Sequence, residues 1–353
     1  MKKALGLCGA FVGTVIGAGF ATGREITLFF SDYSVVSVIL SGIFLGAFCY
    51  IILRLSSSFG NVFSSFGFLE KALRAFAFAA NFCVLCATIA GSDVVIENLF
   101  CISGGAIITA LLCLSVVLFG VKGVKTLNLF VVPVILVLVF LVFFKDSHFR
   151  FGGKIGISNS FAYASMNLIT GGFFIGATGD APTKKESAIC AVLSGVILTA
   201  MLICVYSVTK NVSAEMPFID RADALGLGTV GNVVLYLAMI TTVIGTLSVC
   251  SGNNKIAAVV VTILALIAST FGFGSIVDYF YPIIGALGGA VVVCAGIIWL
   301  LNPKFSRYYN LIFRPNGFLS PRRLQREGSI RKVFRLPESL LSRRADRRNR
   351  QEG

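Results

Sequence analysis

The stretch Gly13-Thr14-Val15-Ile16-Gly17-Ala18-Gly19-Phe20-Ala21-Thr22-Gly23 decides the fold. It lies in an uncharged run from Ala4 to Gly23, long enough to cross a bilayer core, which takes about 20 residues. Four of its eleven positions are glycine, and each glycine costs a helix interior roughly 1 kcal/mol against alanine. A broken helix at membrane depth is tolerated only where its backbone is buried in protein or faces water. Two readings follow. Either the helix breaks and its free N–H and C=O groups converge on a ligand, or its small residues let a second helix touch it.

The rest of the chain sets the context. Of 353 residues, 56% are hydrophobic and 13% charged, which places the chain among polytopic membrane proteins rather than soluble domains. The apolar runs are continuous, without the alternation of a membrane β-barrel. Met1-Lys2-Lys3 before an apolar run has the look of a signal peptide, but the run is too long and too glycine-rich for one. Ten candidate spans cover 4–23 (extending to 30), 33–53, 75–92, 98–121, 126–144, 160–179, 187–209, 229–252, 256–274 and 279–301. The expected fold is an all-α polytopic membrane protein of about ten transmembrane helices.

Several chemistries are excluded. The ten cysteines lie almost wholly in apolar runs, and Cys83-x-x-Cys86 on a membrane helix reads as two small apolar residues rather than a redox motif. His148 is the single histidine and sits in a polar loop, without the partners of a metal site or a triad. No nucleotide-binding loop or catalytic constellation appears, so no enzyme is expected.

With the N-terminus inside, the inner segments before the tail carry ten Lys and Arg and the outer ones six, which predicts cytoplasmic termini and a plasma-membrane protein. Residues 302–353 hold 14 basic residues against four acids and four prolines. This tail reads as a disordered cytoplasmic segment that satisfies the positive-inside rule. If it has a partner, anionic lipid is favoured over nucleic acid.

The glycine-rich break has a counterpart in Ile169-Thr170-Gly171-Gly172-Phe173-Phe174-Ile175-Gly176-Ala177-Thr178-Gly179. Spans one to five pair with six to ten at an offset of roughly 150–160 residues. An odd number of spans per set inverts the second set, which is the inverted repeat of many secondary transporters. The expected division is a first five-helix repeat over 1–144, a connector over 145–159, a second repeat over 160–301 and the tail over 302–353, with helices one and six broken.

The first-helix run, continued by Arg24-Glu25-Ile26 and Phe29-Phe30, resembles that of YkvI-like membrane proteins, amino-acid permeases of the amino acid–polyamine–organocation superfamily. The resemblance covers roughly residues 1–301, and Gly13-x3-Gly17-x-Gly19 also looks like the unwound segment of the wider LeuT-type fold. Arg24 departs from the neutral Gln expected in the family. The resemblance implies an alternating-access symporter of amino acids or related small zwitterions and amines. A non-transporting sensor or assembly factor on the same fold is the alternative.

What the resemblance implies for individual residues is specific. The amides of Ala18, Gly19 and Phe20, at Gly17, would receive a substrate carboxylate. Carbonyls near Leu168, Ile169 and Gly171, at Gly172, would receive its ammonium, and Phe173 and Phe174 would wall the side-chain pocket. In the eighth span, Ala238-x-x-Thr241-Thr242 matches the sodium-coupled members of the fold. Carbonyls of Gly13, Ile16 and Ala238 with the hydroxyls of Thr241 and Thr242 would bind Na⁺. On residues alone, such hydroxyls also bond their own helix carbonyls. Na⁺ and H⁺ remain open as coupling ions, and no other cofactor is expected. Intramembrane acids are candidates by default, here Asp93, Glu97 and Asp278 near span ends. Arg24 and Glu25 read as gating residues; adjacent on a helix, each needs a partner elsewhere.

Overall fold

The computed structural model describes residues 2–55, 67–119, 124–146, 153–176, 182–210, 212–252 and 254–301. The described segments are helical almost throughout. The first apolar run makes three pieces: α1 (Lys2–Val15), α2 (Ala18–Thr22) and α3 (Arg24–Phe30). Then follow α4 (Val35–Leu55), α5 (Gly67–Phe100), α6 (Gly105–Phe119) and α7 (Val124–Lys145). The later elements are α8 (Ile157–Gly176), α9 (Lys184–Thr209), α10 (Pro217–Ala224), α11 (Gly228–Ser251), α12 (Lys255–Ser269) and α13 (Phe273–Leu301). Among the described residues, each of the ten apolar runs falls mostly on helix. Among the described residues, five helical stretches are long and apolar enough to cross a membrane: Val35–Arg54, Arg74–Phe100, Lys184–Thr209, Gly228–Ser251 and Phe273–Cys294.

Met1–Ala295 pack as one compact unit; Gly296–Gly353 form a second, whose backbone is described only to Leu301. The tail over 302–353 lies outside the described residues.

Small residues bring the helices of the first unit together. A Cβ on Gly42 of α4 would meet Thr199 Oγ1 of α9 at 1.8 Å, and one on Gly46 would meet the Ala191 carbonyl at 3.0 Å. This is the close backbone approach that small residues permit where lipid supplies no hydrophobic drive for helices to associate.

The first helix breaks at Ile16 and Gly17, as expected. It breaks again at Gly23, which caps α2 and opens α3 with φ 76° and ψ −7°, a left-handed conformation that glycine adopts without the Cβ penalty. The counterpart break does not occur at Gly171 or Gly172. The α8 backbone stays helical through Gly171 and Gly172 to Gly176, and 177–181 lie outside the described residues. The reason is packing: a Cβ on Gly171 would sit 2.7 Å from Thr14 Oγ1 of α1, so this glycine serves close helix contact.

Candidate functional site

The site grows from the break between α1 and α2. The last four carbonyls of a helix and the first four amides of the next lack partners within their own helices. Here one amide is claimed from across the bundle: Ala18 N–H donates to Thr242 Oγ1 of α11 at 3.2 Å. Gly17 makes that approach possible, since a Cβ there would already stand 3.3 Å from the same oxygen.

A cavity of about 90 Å³ opens beside this junction. Gly13, Thr14 and Val15 of α1, Gly17, Ala18 and Gly19, and Glu25 of α3 form one wall. Asn81 and Val84 of α5, Met166, Asn167, Thr170 and Gly171 of α8, and Tyr281 of α13 form others. Along α11 it runs from Thr241 and Thr242 past Gly245 and Thr246 to Val249.

The polar lining is biased toward acceptors. Asn81 Nδ2 donates to the Ala77 carbonyl at 2.8 Å, and Asn167 Nδ2 to Tyr163 O at 3.1 Å. The hydroxyls of Thr14, Thr170 and Thr246 donate to Phe11 O, Met166 O and Thr242 O. Each spends a proton on its own helix. What remains for a ligand is mainly oxygen lone pairs. Glu25 adds the one carboxyl, and among the described lining residues there is no Lys, Arg or His. The surface suits a ligand that is cationic or rich in donors.

The sequence-predicted residues divide. Gly13, Gly17, Ala18, Gly19, Gly171, Thr241 and Thr242 line the cavity. Ile16, Phe20, Leu168, Ile169 and Ala238 are buried but do not line it. Because α8 is unbroken, the carbonyls of Leu168 and Ile169 belong to its own hydrogen-bond ladder rather than to an opened site. Gly172, Phe173 and Phe174 continue that helix, and their side-chain positions lie outside the described residues. At the expected cation cage, both hydroxyls turn to one carbonyl: Thr241 Oγ1 donates to Ala238 O at 2.8 Å and Thr242 Oγ1 at 2.9 Å.

Glu25 is the largest departure from the expected layout. Read in the sequence as a gate at the span end, it is buried, with 7% of its surface exposed. Its carboxyl fills the space over Gly19, where a Cβ would come within 1.8 Å of Oε1. Arg24 turns the other way. Its Nε donates to Asp278 Oδ1 at 3.0 Å, its second nitrogen reaches Asp278 Oδ2, and its third donates to the Ala214 carbonyl at 2.8 Å. Asp93 has a structural partner set: its Oδ1 accepts from Gly104 and Ala106 N–H at 3.1 and 3.2 Å, capping the start of α6. Asn81, Asn167, Thr246 and Tyr281 were missed from sequence; an asparagine inside a charge-free span was the available signal.

No family model matches the chain. It is similar to two proteins of Bacillus subtilis (strain 168). One is the uncharacterized membrane protein YkvI, 25% identical over 80% of this chain and 92% of YkvI. The other is the uncharacterized protein YyaD, 24% identical over 84% of this chain and 96% of YyaD. Among solved structures it resembles Mhp1, a nucleobase-cation-symport-1 family transporter held closed on bromovinylhydantoin. That likeness has a TM-score of 0.50 and 13% identity, covering 88% of this chain and 74% of Mhp1. The chain is thus a helical membrane protein with the fold of a known secondary transporter.

Proposed function

We propose that this protein is a secondary transporter of amino acids or related small zwitterions and amines, working by alternating access. The observation that carries the reading is the junction of the α1–α2 break with α11, where Ala18 N–H meets Thr242 Oγ1 beside an acceptor-lined cavity. Broken helices at a helix interface are how secondary transporters build substrate sites. At about 90 Å³ the cavity falls well below the roughly 300–1,000 Å³ of drug-sized sites, which suits a small solute. The oxygen acceptors in its lining suit an ammonium.

With both termini cytoplasmic, the Arg24–Asp278 pair stands at the outer mouth and the extension along α11 toward Val249 leads inward. Transport requires the two arrangements to exchange, and a coupling ion biases that exchange only through its affinity difference between them. The cage expected from Gly13, Ile16, Ala238, Thr241 and Thr242 offers neutral oxygens, the donor set a hard monovalent cation such as Na⁺ accepts. A hydroxyl that donates to Ala238 O keeps a lone pair for such an ion. Membership of the amino acid–polyamine–organocation superfamily belongs to the same proposal.

The test is uptake of a radiolabelled amino-acid mixture into proteoliposomes under inward Na⁺ or proton gradients. Saturable uptake that needs a gradient is expected. Binding seen by thermal shift, without flux under any gradient, would favour a sensor on the same fold.

A further inference from the structure

Glu25 is used by none of the steps above, yet it is the one carboxyl among the described residues of the cavity wall. Its Oε2 is fully buried and has no hydrogen-bond partner. A buried carboxylate without a partner is strongly disfavoured and takes up a proton instead.

The groups around it do not supply a counter-charge. Arg24, next to it on α3, is held by Asp278 of α13 and the Ala214 carbonyl. Lys210, just beyond α9, donates to the Tyr33 carbonyl and the Tyr206 hydroxyl. Arg221 of α10 pairs with Asp146. Tyr163 of α8, Tyr281 of α13, Asp220 and Asp223 of α10, and the thiols of Cys83 and Cys86 on α5 carry no positive charge that could pair with Glu25.

Space also selects the cation. Oε2 has no accessible surface, and Oε1 is packed over Gly19 so closely that a single methyl there would overlap it. A proton fits the buried Oε2, which has no accessible surface to offer a larger cation, and the cavity that Glu25 lines gives it a route to water.

We propose that Glu25 is a proton-binding site of the cavity, neutral at physiological pH and in exchange with cavity water. The exchange breaks the O–H bond of the acid, leaves its electron pair on the carboxylate and passes the proton to water. The proposal deepens the transport reading and rests on it for the use of the proton, while the protonation itself is measurable without any substrate. A substrate carboxylate entering beside Gly19 would meet a like charge if Glu25 were ionised. Proton and anion binding are therefore linked, each favouring the other by the same factor.

The test is an infrared pH titration of the full-length protein in lipid, without substrate, comparing wild type with Glu25→Gln. The expected result is a protonated-carboxyl C=O band at neutral pH in wild type, absent from Glu25→Gln and lost reversibly in alkali. Glu25→Asp should retain a band at a shifted titration midpoint, which guards against misfolding of the amide variant. Absence of the band at neutral pH in wild type overturns the proposal. So does a band that alkali never removes, or one displaced at neutral pH by NaCl or methylammonium, which would make the carboxyl a site for those cations. In proteoliposomes, uptake by wild type should respond to a proton gradient and uptake by Glu25→Gln should not. No uptake by either, with the infrared band present, would reject the transport reading and leave the proton site standing.

Discussion

The Arg24 guanidinium grips the Asp278 carboxylate across 254 positions of sequence, its Nε donating to Oδ1 at 3.0 Å. The pair joins α3, just past the second break in the first helix, to α13. The side chains are 24% and 39% exposed, so the pair contributes little to static stability, in the range of about 0.2–1 kcal/mol typical of solvent-exposed ion pairs. In the proposed transport cycle its consequence lies in whether the mouth opens. Arg24→Ala and Asp278→Asn should each lower unfolding stability by at most about 1 kcal/mol while cutting uptake at least tenfold. The charge-reversed double variant, Arg24→Asp with Asp278→Arg, should recover part of the uptake. Wild-type uptake in the single variants would remove the pair from the transport cycle.

Thr241 and Thr242 should behave differently despite sharing the Ala238 carbonyl. Thr242 also accepts the Ala18 amide, and Thr242→Val leaves that donor without its partner, at a cost of about 1–3 kcal/mol. Thr241→Val loses only a bond to its own helix and should cost less. Thermal unfolding of the purified variants measures the difference. The double variant should also lose any sodium dependence of uptake; sodium dependence that survives would assign the hydroxyls to helix bonding alone.

The two glycines of the site should separate binding from folding. Gly17→Ala places a methyl 3.3 Å from Thr242 Oγ1, a contact the threonine can relieve by a few tenths of an ångström, so the variant should fold. Gly17→Leu should insert normally and abolish ligand-induced thermal shifts, because the side chain enters the cavity. Gly171→Leu instead drives into Thr14, at 2.7 Å for the first carbon, and should reduce stability by about 1–3 kcal/mol, as overpacking does. Equal stability of Gly17→Leu and Gly171→Leu would contradict this division.

Asp93 should prove structural. Asp93→Ala removes the acceptor for Gly104 and Ala106 N–H and should cost about 0.5–2 kcal/mol, the value of a helix N-cap. Asp93→Asn keeps an acceptor and should cost only a fraction of that. Neither should change the ion dependence of uptake, and a changed ion dependence would return Asp93 to the functional set.

How much was legible in advance follows from the range of the forces involved. Apolar length is a local property, so the described part of each membrane-length run is mostly helix. The break at Gly17 was legible for the same reason: clustered glycines weaken a helix wherever it is placed. Gly171 and Gly172 carry the same local signal, yet the helix persists, because contact with Thr14 on α1 offsets the intrinsic cost of glycine and no local reading contains that contact. The positions of Arg24 and Glu25 were beyond the sequence. Adjacent residues leave a helix on different bearings, and the left-handed turn at Gly23 resets the bearing of all that follows. That turn sends Glu25 back over Gly19 and Arg24 out to Asp278. The sequence by itself determined which described segments are apolar helix and where the first is weak. Only the packing of α3 against α2 and α13 decided which charge is buried in the cavity and which is paired beside it, because burial and pairing depend on neighbours distant in the chain.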